Sequence, residues 1–298
     1  MDTAISATGL TKYYGSVRGI EDVDLDVQRG EVFGFLGPNG AGKSTTIRLL
    51  VDLLRPTRGS LTVLGLDPRR DSLEVRSRVG YVPGDLSMYG DMTGRQICWY
   101  FGGLRGLDVE PAAEAIATRL DLDLDRPISA YSTGNRQKVG LVQAFMHEPD
   151  LLILDEPTAG LDPLVQQEFY GMIREAQAAG RTVFLSSHVL PEVERIADRV
   201  AIIREGRILV VDEVLAIKER AVRRIELHFA EAVDASRFEV LDSVRSVHGS
   251  ADGTAVILTV ESSMDQVIKK AAEFNVRNII SHDGELEDVF LAYYRGGP

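Results

Sequence analysis

The chain has 298 residues, with 33 Lys and Arg against 45 Asp and Glu, for a net charge of -12. Such an excess of acid argues against a nonspecific grip on nucleic acid or on an anionic membrane, both of which reward Lys and Arg, so no nucleic-acid partner is expected. A single Cys98 excludes an internal disulfide, the first residues lack the basic-then-apolar pattern of a secretion signal, and no run of about 18 apolar residues exists. The cytoplasm is therefore the expected compartment, with any membrane role exercised through another polypeptide.

Residues 5–10 and 23–27 predict short strands, the second alternating so that Val23, Leu25 and Val27 face inward. Between them lies Lys12-Tyr13-Tyr14-Gly15, where Tyr14 can stack on an adenine ring or sit as an ordinary surface tyrosine. The apolar run 31–36 then leads into Gly37-Pro38-Asn39-Gly40-Ala41-Gly42-Lys43-Ser44-Thr45 and the helical segment 46–50. This is the pattern G-x-x-x-x-G-K-[ST] between a strand and a helix. Its backbone N–H groups can wrap a polyphosphate, the helix directs its positive end at the same anion, Lys43 adds a mobile charge, and Ser44 offers a hydroxyl to Mg²⁺. A nucleoside triphosphate site is expected; the alternative is a glycine-rich turn without a ligand.

Strands follow at 59–65 and 79–83, the latter stopped by Pro83. From 93 to 124 the pattern is helical. Ile97, Phe101 and Leu104 share a face, Cys98, Trp99 and Tyr100 make the first helix apolar most of the way round, and Pro111 opens a second. This insert is either plain core or a surface that holds a partner's helix. The small polar turn Tyr131-Ser132-Thr133-Gly134-Asn135 enters a helix at 136–146 with Val139, Val142, Phe145 and Met146 inward, and reads either as an anion site or as an N-cap.

Leu151-Leu152-Ile153-Leu154 has the make-up of a buried strand and ends in Asp155-Glu156-Pro157. At the C-terminal edge of a parallel sheet, Asp155 is placed to hold Mg²⁺ and Glu156 to orient or deprotonate an attacking water. A turn at 158–163 leads into a helix at 164–179. The strand 182–186 ends in Ser187-His188 on the same edge, which makes His188 a candidate contact for a γ-phosphate. A helix at 192–198 and a hairpin at 200–211 complete this part, and a domain boundary is expected at 218/219. The tail alternates at Ile225, Leu227 and Phe229, with further strands at 244–247, 256–260 and 276–280. A helix at 264–274 is expected to face Val267, Ile268 and Ala271 inward, and Leu286, Val289, Phe290 and Tyr293 fall at helical spacing. It reads as a small α+β domain suited to dimer contact or regulation.

In this order the motifs resemble the ATP-binding subunit of an ABC transporter over residues 4 to about 216. The tail and phrases such as Tyr81-Val82-Pro83-Gly84-Asp85 are similar to drug and antibiotic exporters of the daunorubicin- and tetronasin-resistance type. The resemblance implies an α/β P-loop NTPase core with a helical subdomain at about 91–148 and a small C-terminal α+β domain. It implies that ATP and Mg²⁺ bind at Gly37, Asn39, Gly40, Ala41, Gly42, Lys43, Ser44 and Thr45, with Tyr14 on the adenine, Asp155 toward the metal, and Glu156, Lys43 and His188 catalytic. Ser132 and Gly134 would close on the ATP of a second, identical subunit, and a separately encoded ABC-2-like permease would hold the pair at the cytoplasmic face of the membrane.

Two positions depart from the family pattern. Thr133 puts a side chain where a glycine is usual, and Gly84 replaces the glutamine expected after Pro83, so that Asp85 becomes the substitute toward the metal. A soluble ABC ATPase acting on ribosomes, and a module that binds nucleotide without hydrolysing it, are the competing classes.

Overall fold

A computed structural model describes residues 3–220, 223–260 and 264–282. Two compact units divide the chain, Met1–Val211 and Asp212–Pro298.

The first unit opens with β1 (Thr3–Tyr14) and β2 (Val17–Gln28), both longer than the expected strands, which pair antiparallel. Val23, Leu25 and Val27 are buried while Asp24 and Asp26 face solvent, as the alternation requires. After β3 (Val32–Leu36) and α1 (Lys43–Leu50), β4 (Arg58–Val63) joins β1 to give a three-stranded sheet ordered β2-β1-β4. Next come α2 (Ser72–Arg78) and β5 (Val79–Val82), then the helical insert of α3 (Gly94–Arg105), α4 (Glu110–Arg119) and α5 (Thr133–Phe145). The unit closes with β6 (Leu151–Asp155), α6 (Pro163–Ala178), β7 (Thr182–Ser187), α7 (Leu190–Ile196), β8 (Arg199–Arg204) and β9 (Arg207–Glu213), whose last two residues lie past the division after Val211.

Six strands form the second sheet in the order β5-β6-β7-β3-β8-β9, the first five parallel. The central strands β3, β6 and β7 are buried along their whole length, which is why β3 and β6 read as apolar runs, while β7 carries Val183, Phe184 and Leu185 between buried hydroxyls. Phe184 stacks on Phe33 at 5.9 Å between ring centroids and tilts against Phe35 at 5.4 Å. Because β3, β6 and β7 are adjacent and parallel, the phosphate loop, Asp155-Glu156 and Ser187-His188 all leave the sheet at one edge.

Three features go beyond what the sequence pattern displays. The α3 helix buries Ile97, Cys98 and Gly102, whereas Leu104 is 66% exposed: helical spacing fixes which residues share a stripe, but not how far the neighbouring elements cover it. The short α2 went unpredicted because Val75 is its one buried residue and leaves no periodic face. The expected boundary at 218/219 falls inside α8 (Val214–Arg220), and the compact units divide ahead of that helix.

In the second unit, β10 (Arg223–Phe229), β11 (Val244–Gly249), β12 (Ala255–Val260) and β13 (Val276–His282) make an antiparallel sheet ordered β11-β12-β10-β13, with α9 (Asp265–Ala271) between β12 and β13 in the chain. Ile225, Leu227 and Phe229 are buried in its core with Phe238, Val267 and Ala271. Ile268, expected inward, is 48% exposed; the helix is short and only its Val267 and Ala271 face is covered. The helical spacing of Leu286, Val289, Phe290 and Tyr293 lies outside the described residues.

His147, just past α5, gives the first unit a pH signature. Its Nε2 stands 3.3 Å from the carbonyl of Val79, and Nδ1 is buried without a partner. Burial, then the nearby Arg105 charge, lowers its pKa from 6.5 to about 4. The unfolded chain thus takes up the proton first, so stability is complete above the unfolded value and declines as pH falls from about 6.5 toward 4. The loss is roughly 3 kcal/mol at most. Thermal unfolding midpoints between pH 7 and pH 4.5 should fall more steeply for the native chain than for His147→Gln; equal slopes would contradict this.

Candidate active site

The loop after β3 is shaped by close backbone approach. Gly42 caps α1 with φ of 111°, and a Cβ there would stand 2.7 Å from Ile20 Cγ2 and 3.0 Å from the carbonyl of Gly19, so glycine is required on both counts. The α1 helix carries no acidic residue of its own in its first turn, an arrangement that favours an anion at its positive end. Beside it opens a cleft of about 520 Å³ lined by residues that include Tyr14, Asn39, Gly40, Lys43, Ser44 and Thr45. Gly42, Asp85 and Glu156 also line it, as do Arg18, Arg48 and Gly84, which sequence reasoning did not assign to a ligand.

Gly37 and Ala41 sit behind this surface and brace it. Gly37 N–H donates to the carbonyl of Ser187, tying the loop to the end of β7, and the Ala41 carbonyl accepts from Gly206 N–H at 2.9 Å. Tyr14, 44% exposed, stands at the rim with its hydroxyl 3.4 Å from Thr45 Oγ1 and Lys12 Nζ 5.5 Å from its ring centre. Its exposed ring face at the cleft rim fits a stacking role.

Lys43 is buried and its Nζ donates to the carbonyls of Gly37 at 2.7 Å and Pro38 at 3.2 Å. It also forms an ion pair with Glu156 Oε1 at 3.1 Å, outside hydrogen-bond geometry, so that Oε1 is a buried acceptor with no hydrogen-bond donor. Glu156 itself adopts φ of 51°, uncommon for a residue with a side chain, and its N–H donates to the carbonyl and hydroxyl of Ser186, each at 3.2 Å. That left-handed step at the end of β6 swings the carboxylate toward both Lys43 and His188. The latter's Nδ1 lies 2.8 Å from Glu156 Oε2. His188 therefore meets the site through Glu156 rather than by lining the cleft.

Asp155 is 2% exposed, and its Oδ1 accepts a hydrogen bond from the fully buried Ser186 Oγ at 2.5 Å. Its Oδ2 lies 3.0 Å from where a Cβ on Gly84 would stand, so a side chain at 84 would crowd that oxygen; Asp155 itself does not line the cleft, and stands behind Gly84, which does. Burial, then the charge of Asp155, pushes the Tyr81 phenol up to about 12. Ser44, Asp155 and Asp85 are hard oxygen donors of the kind Mg²⁺ takes. Among the described residues no group of three His, Cys, Asp or Glu could hold a metal unaided, and a carboxylate plus substrate phosphates is the usual arrangement for this ion.

Ser132 and Gly134 do not line the cleft. Ser132 caps α5 by accepting from Asn135 N–H at 3.2 Å, and Arg136 braces the turn through the Tyr131 carbonyl and Thr133 hydroxyl. A Cβ on Gly134 would stand 2.4 Å from the carbonyl of Gly160, so this turn rests directly on the turn that follows β6. Gln137 reinforces that contact, donating to the carbonyl of Pro157 at 3.1 Å.

Fold and cleft together define a P-loop nucleotide-binding domain. The family model described as ABC transporter matches residues 20–159. The chain is 33% identical to the bacitracin transport ATP-binding protein BcrA of Bacillus licheniformis, across all of this chain and 99% of that one. It is 35% identical to the daunorubicin/doxorubicin resistance ATP-binding protein DrrA of Streptomyces peucetius, across 97% and 92%. A solved ATP-binding subunit of an ABC transporter superposes with a TM-score of 0.69 at 31% identity, over 72% of this chain and 92% of that one. A dimeric bacterial ABC transporter cassette, 20% identical, shares the fold with a TM-score of 0.65 over 70% of this chain and 98% of that one. The chain belongs to the ABC transporter family as an ATP-binding subunit, an ATPase whose hydrolysis drives transport.

Proposed function

We propose that this subunit powers a separately encoded ABC-2-like permease that exports a drug, an antibiotic or another hydrophobic compound, and that it works as a homodimer at the cytoplasmic face of the membrane. The compound class is supported by the bacitracin transport and daunorubicin/doxorubicin resistance relatives, which align along nearly their whole length. ATP lies in the cleft with Tyr14 against its base, its phosphates on the loop 37–45, and Ser44 and Asp155, with Asp85, toward Mg²⁺. Bound there, Mg²⁺ neutralises charge on the transferred phosphoryl group. Glu156 positions and deprotonates the attacking water, and Lys43 and His188 stabilise developing charge. Ser132 and Gly134 of the second copy close the site. The C-terminal unit serves dimer contact or regulation.

The observation that carries the permease is an apolar groove of about 710 Å³ lined by Val51, Leu53, Leu73, Phe101 and Leu104, with Arg76 at its side. Leu53, Leu73 and Leu104 are 59%, 83% and 66% exposed, a surface that a solitary globular protein gains nothing by displaying. Among the described residues no helix is long and apolar enough to cross a membrane, so a cytoplasmic helix of the permease is the occupant that joins this ATPase to a bilayer. Leu73→Asp combined with Leu104→Asp should release the chain from membranes containing its permease while leaving nucleotide binding intact. Undiminished membrane association would contradict the docking role, and sedimentation of the native chain with ribosomes would favour the soluble class instead.

A further inference from the structure

A chain of buried hydroxyls meets at one carboxylate that no motif of the sequence singles out. Glu192 sits in the first turn of α7, and its two oxygens reach different elements. Oε1 accepts from Thr158 Oγ1 at 2.8 Å, in the turn after β6, and Oε2 accepts from Ser187 Oγ at 3.0 Å, at the end of β7. Thr158 is 6% exposed and Ser187 fully buried, so neither hydroxyl has water as a ready substitute for its acceptor. On one side Ser187 precedes His188, its own carbonyl holds Gly37 N–H, and its hydroxyl accepts from Val189 N–H at 3.0 Å. On the other, Thr158 stands two residues from Gly160, whose carbonyl is the surface on which Gly134 rests.

We infer that Glu192 is a positioning residue: its carboxylate fixes the turn that carries Thr158 and Gly160 in register with the strand end that carries His188, so that the seating of Gly134 and the alignment of His188 on Glu156 are set together. Both ends of the bridge are hydrogen bonds to a charged acceptor, at 2.8 and 3.0 Å, a kind stronger than neutral ones. Neither touches the cleft, so Glu192 acts on the chemical step and not on the holding of nucleotide. The inference rests on the roles proposed above for Glu156 and His188.

With the full chain, Glu192→Ala should lower kcat for ATP hydrolysis about 10- to 100-fold, the scale of a small misplacement of a reacting group, and leave KM for ATP within about twofold. Glu192→Gln should restore kcat to within about threefold of the native chain, because an amide can accept from one hydroxyl and donate to the other. Ser187→Ala should lower kcat on its own, and adding Glu192→Ala to it should cost little more than Glu192→Ala alone, as partners in one network do. Unchanged kcat in Glu192→Ala, or a loss spread over kcat and KM that Gln fails to restore, overturns the assignment. Full turnover in Glu156→Gln would strike the underlying reading and this assignment with it. An inactive Glu156→Gln chain beside a fully active Glu192→Ala chain would strike the role of Glu192 alone.

Discussion

Replacing Glu156 by Gln should lower steady-state phosphate release by about 10²- to 10⁴-fold, the usual span for removing a general base. The amide keeps the shape of the side chain and can still bond His188, which stands 2.8 Å from Oε2. What it loses is the basic oxygen Oε1, the buried acceptor beside Lys43 that has no hydrogen-bond donor. Because the substitution keeps the side-chain shape and takes away only the negative charge beside Lys43, binding of a fluorescent ATP analogue should persist. Loss of turnover with retained binding identifies a chemical role; undiminished turnover removes Glu156 from it.

Lys43→Ala should have the opposite signature. Its ammonium is held 2.7 Å from the Gly37 carbonyl and 3.2 Å from the Pro38 carbonyl, at the floor of the cleft where phosphate charge arrives. Hydrogen bonds to charged groups contribute about 1.5 to 3 kcal/mol, so the affinity for ATP should fall roughly 10- to 150-fold in a direct binding titration. Lys43→Arg should not restore it: a planar guanidinium cannot take the place of a compact ammonium between those two carbonyls. Native affinity in Lys43→Ala would mean that the cleft is not where the phosphates sit.

Much of the site was legible because its parts are local in the chain. The loop 37–45 announces itself by glycine spacing, and the Leu151-Leu152-Ile153-Leu154 run ending in Asp155-Glu156 by the unbroken hydrophobicity of a strand covered on both faces. Parallel order then brought His188 to the same edge, as expected. Three things were not legible, each for a physical reason. The hydroxyl network joins residues distant in sequence, Ser186 to Asp155 and Thr158 to Glu192, so no window of the chain contains it. The exposure of Leu104 and Ile268 depends on what covers a helix rather than on its periodicity. The service of Gly84 in clearing Asp155 Oδ2 is a property of two strand ends meeting, and the sequence displayed it only as a missing glutamine.

The phosphate loop lines the cleft, and Ser132 and Gly134 stand apart from it on a turn stacked against Gly160. We propose that a second copy of this chain supplies them. The most direct test is the solution mass of the Glu156→Gln chain, 32.7 kDa for one copy of the native sequence, by light scattering with ATP and Mg²⁺ and again with ADP. A doubled mass with ATP that reverts to a single copy with ADP is the predicted result. A single-copy mass at saturating ATP would contradict it.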